Sequence, residues 1–252
     1  MCGIAAFLFY PEQRPPEIWD EIRDVFTKNL LYNEERGKIA TGAAIVQQDG
    51  TFDRFKKAIP ATEFVKEAEF SAVLDQLSED TTCLLGHTRK PTKGSPDNNL
   101  NNHPLIIEHH IGVHNGGITN DDALFEQWHF PRLGEVDSEI IFRLFNEVLP
   151  FQDAYGEKIA AKARLLEGAF ATISIDLRDP QSLIVIKHKN PLCLHYHERW
   201  KAIIFSSRYV FLRKAFGRSV ITQTLESGNL FYFTTNEMLA KKHIPTENHQ
   251  IT

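Results

Sequence analysis

Three cysteines in 252 residues, Cys2, Cys83 and Cys193, are too few and too scattered for a disulfide framework. No pair of them has the close spacing of a zinc ribbon. Cys83 and Cys193 lie inside apolar runs, which suits packing rather than chemistry. The chain also lacks a basic tract, and its formal net charge is −5, so no direct contact with nucleic acid is expected. No apolar stretch approaches the roughly 20 residues that a membrane helix needs. No signal peptide is visible, because the apolar run that opens at Cys2 is short and meets Pro11. Internal repeats and low-complexity linkers are absent. These absences point to a cytoplasmic globular protein with no membrane partner. With 42% hydrophobic residues it can build one large core or two modest ones.

Ile4 to Phe9 reads as a strand closed by Pro11, and Glu17 to Leu31 as an amphipathic helix behind Pro15 and Pro16. Ala43–Val46 and Thr81–Leu85 read as strands, with one amphipathic helix between them over Ala61–Leu77. The Gly, Pro and Asn content of Lys90–Asn99 marks an irregular loop. Leu105–Ile107 and Ile111–Val113 suit a hairpin, and Asn115-Gly116-Gly117 is a turn signal. Helices are expected over Val136–Leu149, Gln152–Leu166 and Ser207–Phe216, the last stopped by Gly217. Strand-like runs cluster at Ala169–Ile175, Leu183–Ile186, Leu192–Tyr196, Ala202–Phe205 and Leu230–Phe233. Strands and helices come in blocks, which favours an α+β arrangement of antiparallel sheets with helix layers. Residues 1–240 read as one domain and 241–252 as a polar tail.

The second residue carries the sharpest chemical signal. If Met1 is removed, the Cys2 thiol and a free α-amine lie on one residue, so a nucleophile and its base are joined covalently. An α-amine with a pKa of about 7.7–8.0 is partly unprotonated near neutral pH. Acyl transfer also needs oxyanion donors and a substrate anchor. Asn115 and Gly116 can offer a side-chain amide and a backbone N–H, Arg89 can grip a carboxylate bidentately, and Asp137 can hold an ammonium. Each also has a plain reading: a turn for Asn115-Gly116, an ion-pair residue for Arg89, a helix cap for Asp137. His109, His110 and His114, and likewise His195 and His197, superficially suggest a metal site. No acidic or cysteine ligand set accompanies them, so no metal is expected.

A series of motifs runs in order from Cys2 to about Phe233. It comprises Cys2-Gly3-Ile4, Arg36-Gly37 with Gly42, and Gly86-His87-Thr88-Arg89 followed by Thr92 and Gly94. Asn102-His103-Pro104, His114-Asn115-Gly116 and Asp137-Ser138-Glu139 come next. Glu167-Gly168-Ala169-Phe170-Ala171, Asn190-Pro191-Leu192, Phe205-Ser206-Ser207 and Ser227-Gly228-Asn229-Leu230 complete it. The ordered set resembles the glutaminase domain of class II glutamine amidotransferases, which are N-terminal-nucleophile hydrolases. That resemblance implies a four-layered αββα sandwich and hydrolysis of L-glutamine to glutamate and ammonia through a Cys2 thioester, without a cofactor. It implies that Cys2 is the nucleophile, Asn115 and Gly116 form the oxyanion hole, Arg89 binds the glutamine α-carboxylate, Asp137 its α-amino group, and Thr92 lines the pocket.

Three positions depart from the family pattern. Ile39 stands where an Asp often follows the Arg-Gly, and Lys90 and Lys93 stand where the sugar-phosphate branch has Trp and His. No sugar isomerase, phosphoribosyl-transferase region or nucleotide loop is found, so an ammonia-accepting synthetase is expected in trans. Two other readings stay open: a catalytically silent glutamine-binding or partner-docking module, and another amide hydrolase of the same superfamily.

Overall fold

The computed structural model describes residues 1–236, 245 and 247–252. They form two stacked antiparallel sheets covered by helices on both outer faces. The seven-stranded sheet contains β1 (Gly3–Phe9), β2 (Ala40–Gln47), β3 (Phe52–Lys57), β4 (Thr81–Arg89), β9 (Cys193–His197), β10 (Ala202–Ser206) and β11 (Gln223–Thr224), in the order β11-β9-β10-β1-β4-β2-β3. The six-stranded sheet contains β5 (Leu105–Ile107), β6 (His110–Ile118), β7 (Gly168–Asp176), β8 (Asp179–His188), β12 (Asn229–Thr234) and β13 (Glu247–Gln250), in the order β13-β12-β8-β7-β6-β5. This is the αββα sandwich that the resemblance implies.

β1 shows why the strands read as unbroken apolar runs. Its residues Ile4, Ala6 and Leu8 point into the layer between the sheets, against Ile111, Val113, Ala171 and Ile173. Its residues Ala5, Phe7 and Phe9 point outward, against Ile18, Ile22, Phe26 and Leu30 of α1 (Pro16–Asn33). Both faces of the strand are buried, so hydrophobic and polar residues cannot alternate along it. α7 (Tyr209–Phe216) packs beside α1. It ends at Gly217, whose φ of 63° is a left-handed helix cap. On the far side, α5 (Glu139–Asn146) and α6 (Tyr155–Ala163) cover Phe170, Ile184 and Ile186 of the six-stranded sheet.

Several expectations change. Ala61–Leu77 is not one helix but two, α2 (Ala61–Phe64) and α3 (Ala68–Leu74), separated by an extended Glu67. Phe64 and Phe70 both bury and touch, with ring centroids 5.3 Å apart. Six residues on an unbroken helix would set them about 120° apart, so the break lets both face the sheet. Asn115-Gly116-Gly117 is not a turn. β6 runs straight through it, pairing Asn115 with Ala171, Gly116 with Phe170 and Gly117 with Ala169. The helices expected over 136–149 and 152–166 are shorter at both ends, and β3 and α4 (Asp121–Trp128) emerge from segments assigned no element. Of the expected tail, residues 247–250 form β13 against β12. The Arg164 side chain donates to the Gln250 carbonyl at 2.9 and 3.1 Å. Residues 241–244 and 246 of that tail lie outside the described residues.

Candidate active site

The rows of side chains that fill the inter-sheet layer continue beyond its apolar part, and there they turn polar. On β4, Cys83 and Leu85 face the layer; two and four residues after Leu85 come His87 and Arg89. On β6, Ile111 and Val113 face it, and Asn115 follows on the same face. Cys2 precedes Ile4 by two residues, one step beyond the pairing of Gly3 with Thr88, which sets it beside Arg89. The period of two along three strands therefore carries the Cys2 thiol, the Arg89 cation and the Asn115 amide to one end of the sandwich.

The Cys2 thiol rests on the backbone of Lys90, with Sγ 3.4 Å from the Lys90 nitrogen and 3.5 Å from its carbonyl oxygen. Burial pushes the thiol pKa up; the Lys90 backbone contact, the terminal ammonium and Arg89 pull it down, and Asp137 pushes it up. The thiol thus senses the chain terminus, Arg89 and Asp137 together. Burial also pulls the Met1 ammonium below the usual α-amine pKa. Arg36 Nε donates to the Cys2 carbonyl at 2.6 Å, and the Arg36 Nη2 lies 3.7 Å from the Met1 sulfur. Behind the strand, Ser207 Oγ accepts from the Ile4 N–H at 2.8 Å, and Thr88 Oγ1 donates to the Asn33 carbonyl at 2.8 Å.

Arg89 is buried and braced. Nη1 donates to Asn102 Oδ1 at 2.8 Å, and Nη2 to the carbonyls of Lys93 and Gly94 at 2.7 and 2.9 Å. Three of its five N–H donors are thus engaged and two remain. The Lys93 ammonium reaches across to α4, with Asp121 Oδ2 at 2.6 Å and Asp122 Oδ1 at 3.0 Å. Arg132 binds the same two carboxylates. This pins the 90–98 loop to the other sheet's side of the molecule. Thr92 lies on that loop, exposed, and makes no side-chain hydrogen bond among the described residues.

Asn115 is fully buried, yet neither its amide nitrogen nor its amide oxygen has a hydrogen-bond partner among the described residues. Buried polar atoms without partners are rare and costly, and a catalytic role or a bound water or ion is what accounts for them. Gly116 has a φ of 143°, and a Cβ there would overlap the Ala169 carbonyl oxygen. Asn190 Nδ2 closes the same spot, donating to the carbonyls of Asn115 at 2.7 Å and Ala169 at 3.1 Å. Asp137 does not cap its helix. Its Oδ2 accepts the Ile118 N–H at 2.7 Å, at the end of β6, which leaves Oδ1 available. A Cβ on Gly117 would lie 3.7 Å from Asp137 Oδ2, so the glycine keeps the approach to that carboxylate open.

Three buried histidines stand behind this end of the sandwich. His87 and His103 have ring centroids 4.5 Å apart, and His103 and His114 6.2 Å apart. His87 Nε2 is 2.8 Å from the His114 carbonyl oxygen, so that nitrogen carries the proton and donates from β4 to β6. Burial lowers all three pKa values, that of His87 to about 3. Among the described residues no group of three or more His, Cys, Asp or Glu side chains could hold a metal ion. None of the described helices is long and apolar enough to cross a membrane.

Sequence reasoning assigned no role to Arg36, Asn102 or Asn190, although all three lie in the quoted motifs. Arg36 secures the Cys2 carbonyl, Asn102 braces Arg89, and Asn190 ties the strands around Gly116.

No protein-family model matches the chain. Among curated proteins, the chain is 30% identical over 210 residues to a glutamine–fructose-6-phosphate aminotransferase (isomerizing) of Staphylococcus epidermidis, covering 81% of this chain and 32% of that one. The Escherichia coli protein of the same description is 27% identical over 197 residues, covering 77% and 30%. The chain thus spans about a third of the length of the curated relatives it matches. Among solved structures, a glutamine phosphoribosylpyrophosphate amidotransferase from B. subtilis, complexed with ADP and GMP, superposes with a TM-score of 0.72 at 16% identity, covering 100% of this chain and 49% of that one. A structure described as the allosteric regulatory enzyme of purine biosynthesis gives a TM-score of 0.72 at 15% identity with the same coverage. At such identities these two likenesses establish the fold.

Proposed function

The chain belongs to the class II glutamine amidotransferases, as their N-terminal-nucleophile glutaminase domain, and we propose that it hydrolyses L-glutamine at Cys2 and passes the ammonia to a synthetase in the cytoplasm. The observation that carries this reading is the buried, unpartnered Asn115 amide at the same end of the sandwich as a thiol that senses Arg89, Asp137 and the chain terminus.

Once Met1 is removed, the Cys2 α-amine takes the thiol proton, since an α-amine with a pKa of about 7.7–8.0 is partly unprotonated near neutral pH. The thiolate attacks the side-chain amide carbon of glutamine. Asn115 Nδ2 and the Gly116 N–H stabilise the oxyanion; the amine returns its proton to the departing nitrogen, and ammonia leaves. Water then cleaves the thioester to glutamate, restoring the thiol. A remaining Arg89 donor holds the α-carboxylate, Asp137 Oδ1 holds the α-ammonium, and Thr92 closes the pocket from the loop.

Intact-mass spectrometry with a diazoketone analogue of glutamine tests the proposal. The expected result is loss of Met1 and one covalent adduct that maps to Cys2, absent in Cys2→Ala. A processed chain that forms no adduct would leave a silent binding module as the better reading. Faster hydrolysis of asparagine or simple amides than of glutamine would favour another amide hydrolase.

A further inference from the structure

A cavity of about 380 Å³ opens beside the terminal residue; Met1 forms part of its wall, and none of Arg89, Asn115, Gly116 or Asp137 lines it. Its walls carry four cationic side chains, Arg36, Lys38, Lys90 and Arg208, against one carboxylate, Glu35. Glu35 is already paired with Arg208 at 3.1 Å. The Lys38 and Lys90 side chains are exposed, and neither ammonium has an ion-pair or hydrogen-bond partner among the described residues. Arg36 is buried, and its Nη1 has no partner either. Such a concentration of positive charge is not general to this molecule, whose net charge is −5. Ile39 and the Gly37 backbone, together with Met1 until it is removed, give the cavity an apolar wall. Its volume is that of a small-molecule site, and apolar walls with a few convergent charges are what such sites present.

We propose that this cavity is a second binding site, for a small molecule bearing a phosphate or carboxylate group. On the glutaminase reading, on which this assignment of purpose rests, the bound anion acts on the glutaminase site beside it. Two free ammonium groups and an unfilled guanidinium nitrogen would be satisfied by one multiply charged anion, through charge-assisted hydrogen bonds. Lys90 connects the two sites, since its side chain lines the cavity while its backbone touches the thiol. Ile39 is the apolar contact for the body of the ligand. An Asp at that position would add a second carboxylate to the cavity and weaken its hold on an anion.

Titration calorimetry on the full, processed chain tests this, with inorganic pyrophosphate and citrate as probes. Saturable binding of either probe is expected, weakening with added salt because the exposed ammonium groups are screened over about 8 Å at physiological ionic strength. Lys38→Gln should weaken it a few-fold and Lys38→Glu about tenfold or more, a gradation that steric change does not produce. Tighter pyrophosphate identifies a phosphate ligand; tighter citrate identifies a carboxylate. The proposal is overturned if neither probe saturates at low-millimolar concentration, or if Lys38→Glu binds as well as the parent. Adduct formation at Cys2 is measured on the same samples. A normal adduct without anion binding would sink this inference and leave the glutaminase reading standing, whereas anion binding without an adduct would do the reverse.

Discussion

Replacing Asn115 with leucine should make the protein more stable and nearly inactive. The side chain is fully buried and both polar atoms of its amide lack partners among the described residues. An unsatisfied buried group costs about 1–3 kcal/mol, whereas an apolar side chain of similar shape carries no such penalty. Leucine at this position would extend the row of Ile111 and Val113, opposite Ala171, in the inter-sheet layer. For a chain of this size a gain of about 1–3 kcal/mol raises Tm by about 2–6 °C. The backbone carbonyl of residue 115 would keep its bond from Asn190, so the strand geometry is retained. Losing the proposed oxyanion donor should cut glutamine turnover about 100- to 1,000-fold with little change in KM. Calorimetric melting and a glutamate-release assay on the same preparation measure both quantities. Asn115→Asp is the control, since it loses the donor too but buries a carboxylate and should melt lower. A leucine variant with a lowered Tm would refute the view that the amide is unsatisfied. A leucine variant with full turnover would refute its role as an oxyanion donor.

Gly116→Ala should fail to accumulate as folded protein or melt far lower, because its Cβ would overlap the Ala169 carbonyl oxygen; a normal melting curve would show that β7 can yield there. Lys93→Ala should loosen the loop that braces Arg89 and raise KM for glutamine severalfold, since a partly exposed ion pair is worth up to about 1 kcal/mol. The parent should show the same trend as salt is raised, and an unchanged KM in the variant would mean the loop holds without the α4 contact. Acid should destabilise the protein below about pH 6.5. Burial holds His87 and His110 at pKa values of about 3 and 4, with His103 and His114 also lowered, so the folded state stays neutral where the unfolded state takes up protons. Stability is therefore full above the unfolded pKa and falls as pH drops from there toward 4. Melting temperatures across that range check it, and a flat profile would mean that these rings charge without unfolding.

Much of the architecture was legible because the strands are buried on both faces and read as short apolar runs closed by Pro, Gly or Asn. β3 was not, since Phe52-Asp53-Arg54-Phe55-Lys56-Lys57 is a half-buried edge strand whose charges hide the pattern. Asn115-Gly116 misled for a different reason. The local dipeptide signals a hairpin, but the glycine serves close approach between β6 and β7, whose pairing partner comes about 50 residues later. The candidate site residues were named from an ordered series of motifs. What those motifs do for one another was not, because the bonds are long-range. Arg36 reaches Cys2 across 34 positions, and Asn190 reaches Asn115 across 75. No spacing rule connects such residues.

The placement of β1 has a consequence for synthesis. This strand sits in the interior of its sheet, with β4 on one side and β10 on the other. At 5–20 residues per second, the ribosome makes β10 roughly 10–40 s after β1, some 200 residues later. Until then one edge of β1 has no neighbour, and the Ser207 hydroxyl that fixes Ile4 does not exist. A nascent chain therefore carries its cysteine through that interval without the candidate site assembled around it. On the proposed mechanism the half-made protein cannot turn over glutamine, and during that interval the terminus stays open to the removal of Met1 that the mechanism requires.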